Sequence, residues 1–505
     1  MIGKTRAGSL WRFAAAAAIV IAFAAVTTAV AGLLKVKDIV NDLNLTPALR
    51  HADVQLPAPG APQTLLLIGS DHRAGESYRA SNTDTMMLVR IDDSSSTINL
   101  LSVPRDLKVQ LPSGTAKLNA AYSEGGPNLL IHVLKTQVFP GLTVNHILDV
   151  NFGGFSDLVN AIGCVYTDVD HRYYNNTALT DYSSIDIQPG YQKLCGTQAL
   201  EFVRFRHTDS DIVRNARQQD FIRWAKDQFS VGQLLNQEGQ LLHIFGQHVQ
   251  TDHILHTTDG LINLFDLVIN ADGHTLKQIP FPAQFGLCAA GGQTPCYVTA
   301  DSGAMETAYQ KLMTPTQPAA AAASRRRGKH KSTKAPTAGL SADLADGRNQ
   351  ALALGNMGFP VYYPKLVPAA TGTWQPVYCS SVSGNCNDGS EPALEYAKSY
   401  PRRYRIRAQG GGVYRAYRIT VALNSALGEY YGIQGTTWTH PPIFNGKSTT
   451  EYVDGKQLQL FYNGAHVSMV AWRTPRAAYW VSNTLADALT NKELVGIAAS
   501  LTRAQ

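Results

Sequence analysis

TLLLIGSD, residues 64–71, is an unbroken apolar run that stops at glycine, serine and aspartate. Such a run reads as a central strand buried on both faces, and the polar turn at its end is where α/β folds collect ligand-binding groups. Two more runs have the same form. Residues 86–91 begin just after Thr83, Asp84 and Thr85, and residues 98–103 end at Pro104, Arg105 and Asp106. As neighbours in one sheet, these strands bring Asp71, Asp84 and Arg105 to a common edge. Apolar-periodic segments at 127–138, 155–162, 232–249 and 261–270 read as helices between and after them. Residues 63–313 are therefore expected to form one α/β domain.

A second stretch, ALEFVRFRHTDSDIVRNARQQ at 199–219, bears on the chemistry. If 203–206 is a strand, Arg204 and Arg206 share one face while Val203 and Phe205 take the other. Asp209, Ser210 and Asp211 then offer caps to a helix on which Arg214, Arg217 and Gln218 fall at i, i+3 and i+4. Four arginines and an amide in two adjacent elements suit a polyanion, because guanidinium forks match phosphate oxygens bidentately. The plainer reading is a solvated face laced with salt bridges to Glu201, Asp209, Asp211 and Asp220. On the polyanion reading, Arg204→Ala and Arg217→Ala weaken ligand binding and leave the fold intact.

The chain has 505 residues, 44% hydrophobic and 16% charged, with a net charge of +6. That composition excludes a disordered chain and allows two or three domains with ample core. The excess charge is concentrated in the N-terminus, one linker and one Arg-rich strand, so no general nucleic-acid-binding surface is implied. Residues 13–34 contain no charged side chain and are long enough for a single transmembrane helix. Lys4, Arg6 and Arg12 precede it, which keeps residues 1–12 cytoplasmic and sends the rest outside the membrane. A cleaved signal peptide ending near Ala29-Val30-Ala31 is the competing reading. Residues 35–62 read as a polar stalk.

Six cysteines in an even set without metal-site spacing point to disulfides, with Cys164–Cys195, Cys288–Cys296 and Cys379–Cys386 closing short local loops and other connectivities left open. Residues 314–339 have the composition of a linker, so the first domain is expected to stand alone, independent of residues 340–505. Residues 340–505 read as a smaller α+β domain, with helices at 341–357 and 491–501 and strands at 359–363, 404–407, 413–423, 457–462 and 466–472. Arg403, Arg405 and Arg407 share one strand face there, with Arg415 and Arg418 nearby; an exposed sheet face or a surface for anionic glycopolymer both fit.

Seven blocks in order, GSDHR (69–73), TDTMMLVRID (83–92), SVPRD (102–106), KLNAAYSEGG (117–126), FGGF (152–155), PGYQKLCGTQALEFVRFRH (189–207) and DIVRNARQQ (211–219), resemble the LytR-CpsA-Psr family. The resemblance implies a mixed sheet flanked by helices and a membrane-anchored, extracytoplasmic enzyme. Such enzymes move a glycopolymer from a polyprenyl-pyrophosphate carrier onto peptidoglycan, with the prenyl tail in a hydrophobic tunnel between sheet and helices. It implies a pyrophosphate among Arg73, Arg105, Arg204, Arg206, Arg214, Arg217 and Gln218, with Mg²⁺ or Mn²⁺ near Asp71 and Asp84. Phosphoryl transfer needs charge neutralisation and a group to accept the hydroxyl proton. Asp106 and Asp71 are the candidate bases, beside Lys117 and Asn119 as binding residues; the alternatives are an ion pair orienting Arg105 for Asp106 and turn hydrogen bonding for Lys117 and Asn119.

The chain departs from the family pattern in three places. Asn82 stands where the family carries an arginine two residues before the metal carboxylate, leaving Arg79 to substitute. His72 replaces a usual serine, and Asn151 stands where an aspartate is frequent before FGGF. The departures keep a noncatalytic binder of wall polymer or lipid carrier open beside the enzyme. A transcriptional attenuator requires the folded part to lie inside the cell, against the charge bias around residues 13–34.

Overall fold

A computed structural model of the chain describes residues 47–70, 83–175, 184–205, 211–229, 249–271, 273–285, 297–316, 332–369 and 399–504. The apolar stretch 13–34 lies outside these residues, and no helix among the described residues is long and apolar enough to cross a membrane.

The three apolar runs are adjacent strands: β1 (Gln63–Ser70), β2 (Thr83–Ile91) and β3 (Thr97–Ser102). With β4 (His146–Asn151), β5 (Val249–Thr251) and β6 (Thr275–Ile279) they make a mixed sheet in the order β5-β4-β1-β2-β3-β6. β1 and β2 are antiparallel, and β1 and β4 parallel. Alternation divides β1 between two cores. Leu66 and Ile68 pack with α1 (Ala120–Val133) and α6 (Ser302–Met313), while Leu65 packs with α5 (Thr258–Asn270) on the opposite face. The sheet is thus covered on both faces, as an unbroken apolar strand requires.

Local chemistry moves several expected boundaries. α1 starts earlier than the expected 127 and bends where Gly126 takes a positive φ of 69° ahead of Pro127. The expected helix at 232–249 falls outside the described residues except at Val249, which belongs to β5. The stalk is no free spacer in its second half: Leu49 and Ala52 are buried in the first core, and the Gln55 N–H donates to the Val144 carbonyl at 3.0 Å. The linker is likewise anchored at both described ends, by Ser96 N–H to Thr316 O at 2.7 Å and Thr333 N–H to Tyr452 O at 2.9 Å.

The second domain is built on seven antiparallel strands: β7 (Ser399–Arg407), β8 (Val413–Asn424), β9 (Glu429–Thr436), β10 (Ser448–Val453), β11 (Lys456–Asn463), β12 (His466–Thr474) and β13 (Ala477–Ser482). Their order is β7-β8-β9-β13-β12-β11-β10. Asp454-Gly455, with φ of 46° and 76°, turns the β10–β11 hairpin, as two residues with positive φ do. One face packs on α7 (Ala345–Ala353) and α8 (Asn491–Ser500), where Thr490 and Glu493 form a capping box. The expected helix at 341–357 is shorter, and residues 340–342 are strand.

The other face is covered by the first domain. Tyr166 and Tyr191 form one core with Ile406, Phe444, Phe461 and Trp480 of the second domain. Tyr404 accepts the Tyr191 N–H at 2.8 Å, and Tyr191 accepts the Ile443 N–H at 2.9 Å. Arg418, expected near an exposed basic face, is fully buried and pairs with Asp168 at 2.7 Å. Trp480 Nε1 donates to the same carboxylate at 3.3 Å. Burial and the neighbouring Asp220 push the Asp487 carboxyl at this junction up to about 7, against the pull of Arg223 and Asn463. The two domains therefore share buried apolar and ionic groups, where the linker composition led to the expectation that the first stands alone.

Candidate functional site

The antiparallel pairing of β1 with β2 sets Ser70 opposite Thr83, and the Val103 N–H to Met86 O bond keeps the end of β3 level with the start of β2. The strand ends therefore meet, as the apolar runs led us to expect. Arg105 Nη1 donates to the Asp84 carboxylate, and Arg204 Nη2 lies 3.6 Å from its other oxygen. Arg204 is the last residue of α3 (Gly196–Arg204), and its guanidinium sits 3.6 Å over the ring of Phe152, the first residue of α2 (Phe152–Ala161). Its side chain is 42% exposed, so the guanidinium keeps donors for a ligand.

Asp106 is buried, 2.9 Å from Lys117 Nζ and 3.9 Å from Arg105 Nε. The Asn119 N–H donates to the Arg105 carbonyl at 3.1 Å. Asp106 is thus ion-paired, closely with Lys117 and more distantly with Arg105. Glu201, one turn before Arg204, has its carboxyl raised by burial.

Two expectations about residues 199–219 are corrected. Residues 203 and 204 are helical, because Ala199, Phe202 and Val203 recur at i, i+3 and i+4 and all point into the core. Arg206 lies outside the described residues, as do Asp71, Arg73 and Arg79. α4 (Asp211–Gln228) is the expected helix, but Arg214, Arg217 and Gln218 are buried at 2%, 0% and 7% exposure, where a solvated face was the plainer reading. The task of Arg217 and Gln218 is visible at the end of α3, whose last carbonyls have no partner within their own helix. Gln218 Nε2 donates to Val203 O at 3.1 Å and Arg217 donates to Phe205 O, while the Arg217 guanidinium stacks 4.6 Å over Tyr173. A cation at a helix C-terminus is favourable. Arg217 and Gln218 hold the helix end that carries Arg204.

Arg217→Ala is accordingly expected to destabilise the protein by about 2–5 kcal/mol, since it removes a buried, stacked and hydrogen-bonded side chain. Thermal unfolding checks this. An unchanged midpoint would return Arg217 to a ligand-facing role.

Sequence reading missed a carboxylate behind the site. Asp149, on β4, accepts hydrogen bonds from Ser70 Oγ and from Tyr122 OH, both at 2.7 Å. It fixes the end of β1 immediately before Asp71. The signal was weak, since Asp149 sits in an apolar strand with nothing marking it. Asn151, the departure before FGGF, caps α2 through its Oδ1 and the Gly154 N–H at 2.8 Å, as an aspartate would. The Cys164–Cys195 disulfide is present and joins the turn after α2 to the residue capping α3; the other four cysteines lie outside the described residues.

On the α5 side of the sheet lies a cavity of ≈ 330 Å³ lined by Leu67, Val89, Leu100, Ile222, Phe229 and Val268 among others, with Lys226 at its wall. Apart from that lysine, no lining residue among the described residues is charged. Several side chains that read as plain core thus border open space. Leu67 is three residues, about 10 Å along the strand, from Ser70.

Among the described residues, no group of three or more His, Cys, Asp or Glu is placed to hold a metal ion. Asp84 is a partly exposed carboxylate beside the arginines. That suits Mg²⁺, which is commonly held by one or two carboxylates together with substrate phosphates.

The sequence model of the LytR_cpsA_psr family matches residues 32–310. Among curated relatives, the polyisoprenyl-teichoic acid–peptidoglycan teichoic acid transferase TagU of Oceanobacillus iheyensis is 31% identical over 232 residues, 43% of this chain and 69% of that protein. The probable cell wall biosynthesis protein LcpB of Corynebacterium glutamicum is 33% identical over 195 residues, 36% of this chain and 44% of that protein. A solved structure of TagT bound to LIIa-WTA is 21% identical, covers 54% of this chain and 97% of its own, and superposes with a TM-score of 0.40.

Proposed function

The chain belongs to the LytR-CpsA-Psr family, and from that premise we propose that it is a membrane-anchored, extracytoplasmic phosphotransferase moving a glycopolymer from a polyprenyl-pyrophosphate carrier onto peptidoglycan. The observation that carries the reading is the convergence of Arg105 and Arg204 on one carboxylate at the rim of a sheet that also borders an apolar cavity. A carrier lipid needs both environments. The cavity takes part of the prenyl tail, and the arginines take the pyrophosphate. The relatives' named substrates, a polyisoprenyl-linked teichoic acid and peptidoglycan, have this chemistry.

In the reaction, an acceptor hydroxyl of peptidoglycan attacks the phosphorus that carries the polymer. The new phosphodiester forms as the bridging P–O bond breaks, and polyprenyl phosphate leaves. Arg105 and Arg204 neutralise the non-bridging oxygens, where charge must be held during transfer. Arg217 and Gln218 keep Arg204 at its station through the end of α3, and Asp106 with Lys117 keeps Arg105 at its own. With Asp106 engaged in this way, Asp71 becomes the preferred group to accept the hydroxyl proton. Mg²⁺ held at Asp84 and Asp71 would supply further charge neutralisation on the pyrophosphate.

The test is purified protein with a polyprenyl-pyrophosphate-linked glycopolymer and a peptidoglycan acceptor. The expected result is polymer on peptidoglycan with release of polyprenyl phosphate in equal amount. Retention of the carrier without turnover would overturn the enzyme in favour of a binding protein.

A further inference from the structure

The edge strand of the second domain carries a row of charge that the transfer site does not use. Arg403, Arg405 and Arg407 are exposed on one face of β7, and β8 sets the exposed Arg415 directly opposite Arg405. Alternate side chains on a strand stand about 6.7 Å apart, and directly opposed ones are about 5 Å apart. Like charges at that spacing repel. None of the four forms an ion pair among the described residues. The inward-facing arginines of the same two strands are different: Arg402 donates to the Pro189 carbonyl, and Arg418 is neutralised by Asp168. Among the described residues, one face of these strands has its arginines partnered and the other does not.

Arg415 is also seated. Its guanidinium lies against Gly358, where an added Cβ would fall 2.2 Å from Nη1. Gly358 has a φ of 72°, and its N–H is held by Asn356 Oδ1 at 2.8 Å. The site is thus a linear row of four guanidinium groups, one of them packed in place. Val413, opposite Arg407, is the one large exposed apolar side chain of the two strands among the described residues. A row of forks without an apolar wedge fits a linear polyanion better than a bilayer.

We propose that Arg403, Arg405, Arg407 and Arg415 bind the phosphodiester backbone of the glycopolymer under transfer, away from its carrier end. The choice of occupant rests on the transferase reading; the polyanion site itself rests on the unpaired row. Each guanidinium engages a phosphate bidentately, and a chain laid along β7 meets several in turn.

The test uses the full chain and a variant with Arg403→Gln, Arg405→Gln, Arg407→Gln and Arg415→Gln, probed with poly(glycerol phosphate) and with a neutral glycan of equal length. Expected are a loss of at least tenfold in affinity for poly(glycerol phosphate), a shallower salt dependence, no change for the neutral glycan, and an unchanged or higher unfolding midpoint. In the transfer assay, a long polymer should slow at least tenfold in the variant while a carrier bearing a single repeat transfers at the parent rate. Equal affinity of parent and variant for poly(glycerol phosphate) overturns the site, and a preference of the row for anionic vesicles over the polymer overturns the occupant. Row-dependent binding in a protein that transfers nothing keeps the polyanion site and rejects the transferase reading. A variant with a lowered midpoint is replaced by Arg405→Gln with Arg415→Gln, which removes the closest repulsive pair and must still weaken binding.

Discussion

Asp84→Ala should cut glycopolymer transfer by about 10²–10³-fold while carrier binding stays within a few-fold of the parent. Asp84 is the point at which Arg105 and Arg204 meet, so removing it takes away a carboxylate and leaves both guanidinium groups. Binding of an anionic pyrophosphate survives because Arg105 and Arg204, released from Asp84, remain to hold it. Transfer does not on the proposed reading, in which Asp84 would help hold a divalent cation that would act mainly on charge developing at transfer. The fold should tolerate the change, since partly exposed ion pairs contribute about 0–1 kcal/mol. A chelator added to the parent protein should reproduce the loss. Transfer indifferent to both chelator and substitution would sink the metal-assisted step.

Ending the chain at residue 316 should yield a protein that aggregates or unfolds at a markedly lower temperature. The cut uncovers Tyr166 and Tyr191, which now pack against Phe444 and Trp480. Each aromatic side chain uncovered forfeits about 1.5–3 kcal/mol of burial. A point variant separates this from general damage. Arg418→Ala in the full chain leaves the Asp168 carboxylate buried without its cation, and should cost about 3–5 kcal/mol. A truncated protein that melts like the full chain would restore the independent first domain.

The three strands of the first sheet were legible because an apolar run without breaks has one economical use, a strand covered on both faces. The polar residues stopping those runs then fell together by register alone, which is why Asp84 and Arg105 were found. Arg204 was found as a residue but not as a helical one: Val-Arg-Phe-Arg alternates, and four residues are too few for period two to outweigh the longer period of 199–203. Arg217 and Gln218 were legible as one helix face, but a pattern does not say what lies over the face. The same blindness applied to β7 and β8, where alternation separated Arg403, Arg405 and Arg407 from Tyr404 and Ile406. Which side was covered depended on Asp168 and Tyr191, far away in the chain. Asp149 left no trace because one carboxylate in a buried strand makes no motif.

The shared core of the two domains has a geometric consequence. Arg418 paired with Asp168 and Trp480 packed against Tyr191 hold the second sheet, with its arginine row, against the first domain. A polymer held at both the row and Asp84 must bridge the span between them. On the proposed reading the protein would then work as a ruler, and transfer should rise steeply once the polymer reaches a threshold number of repeats.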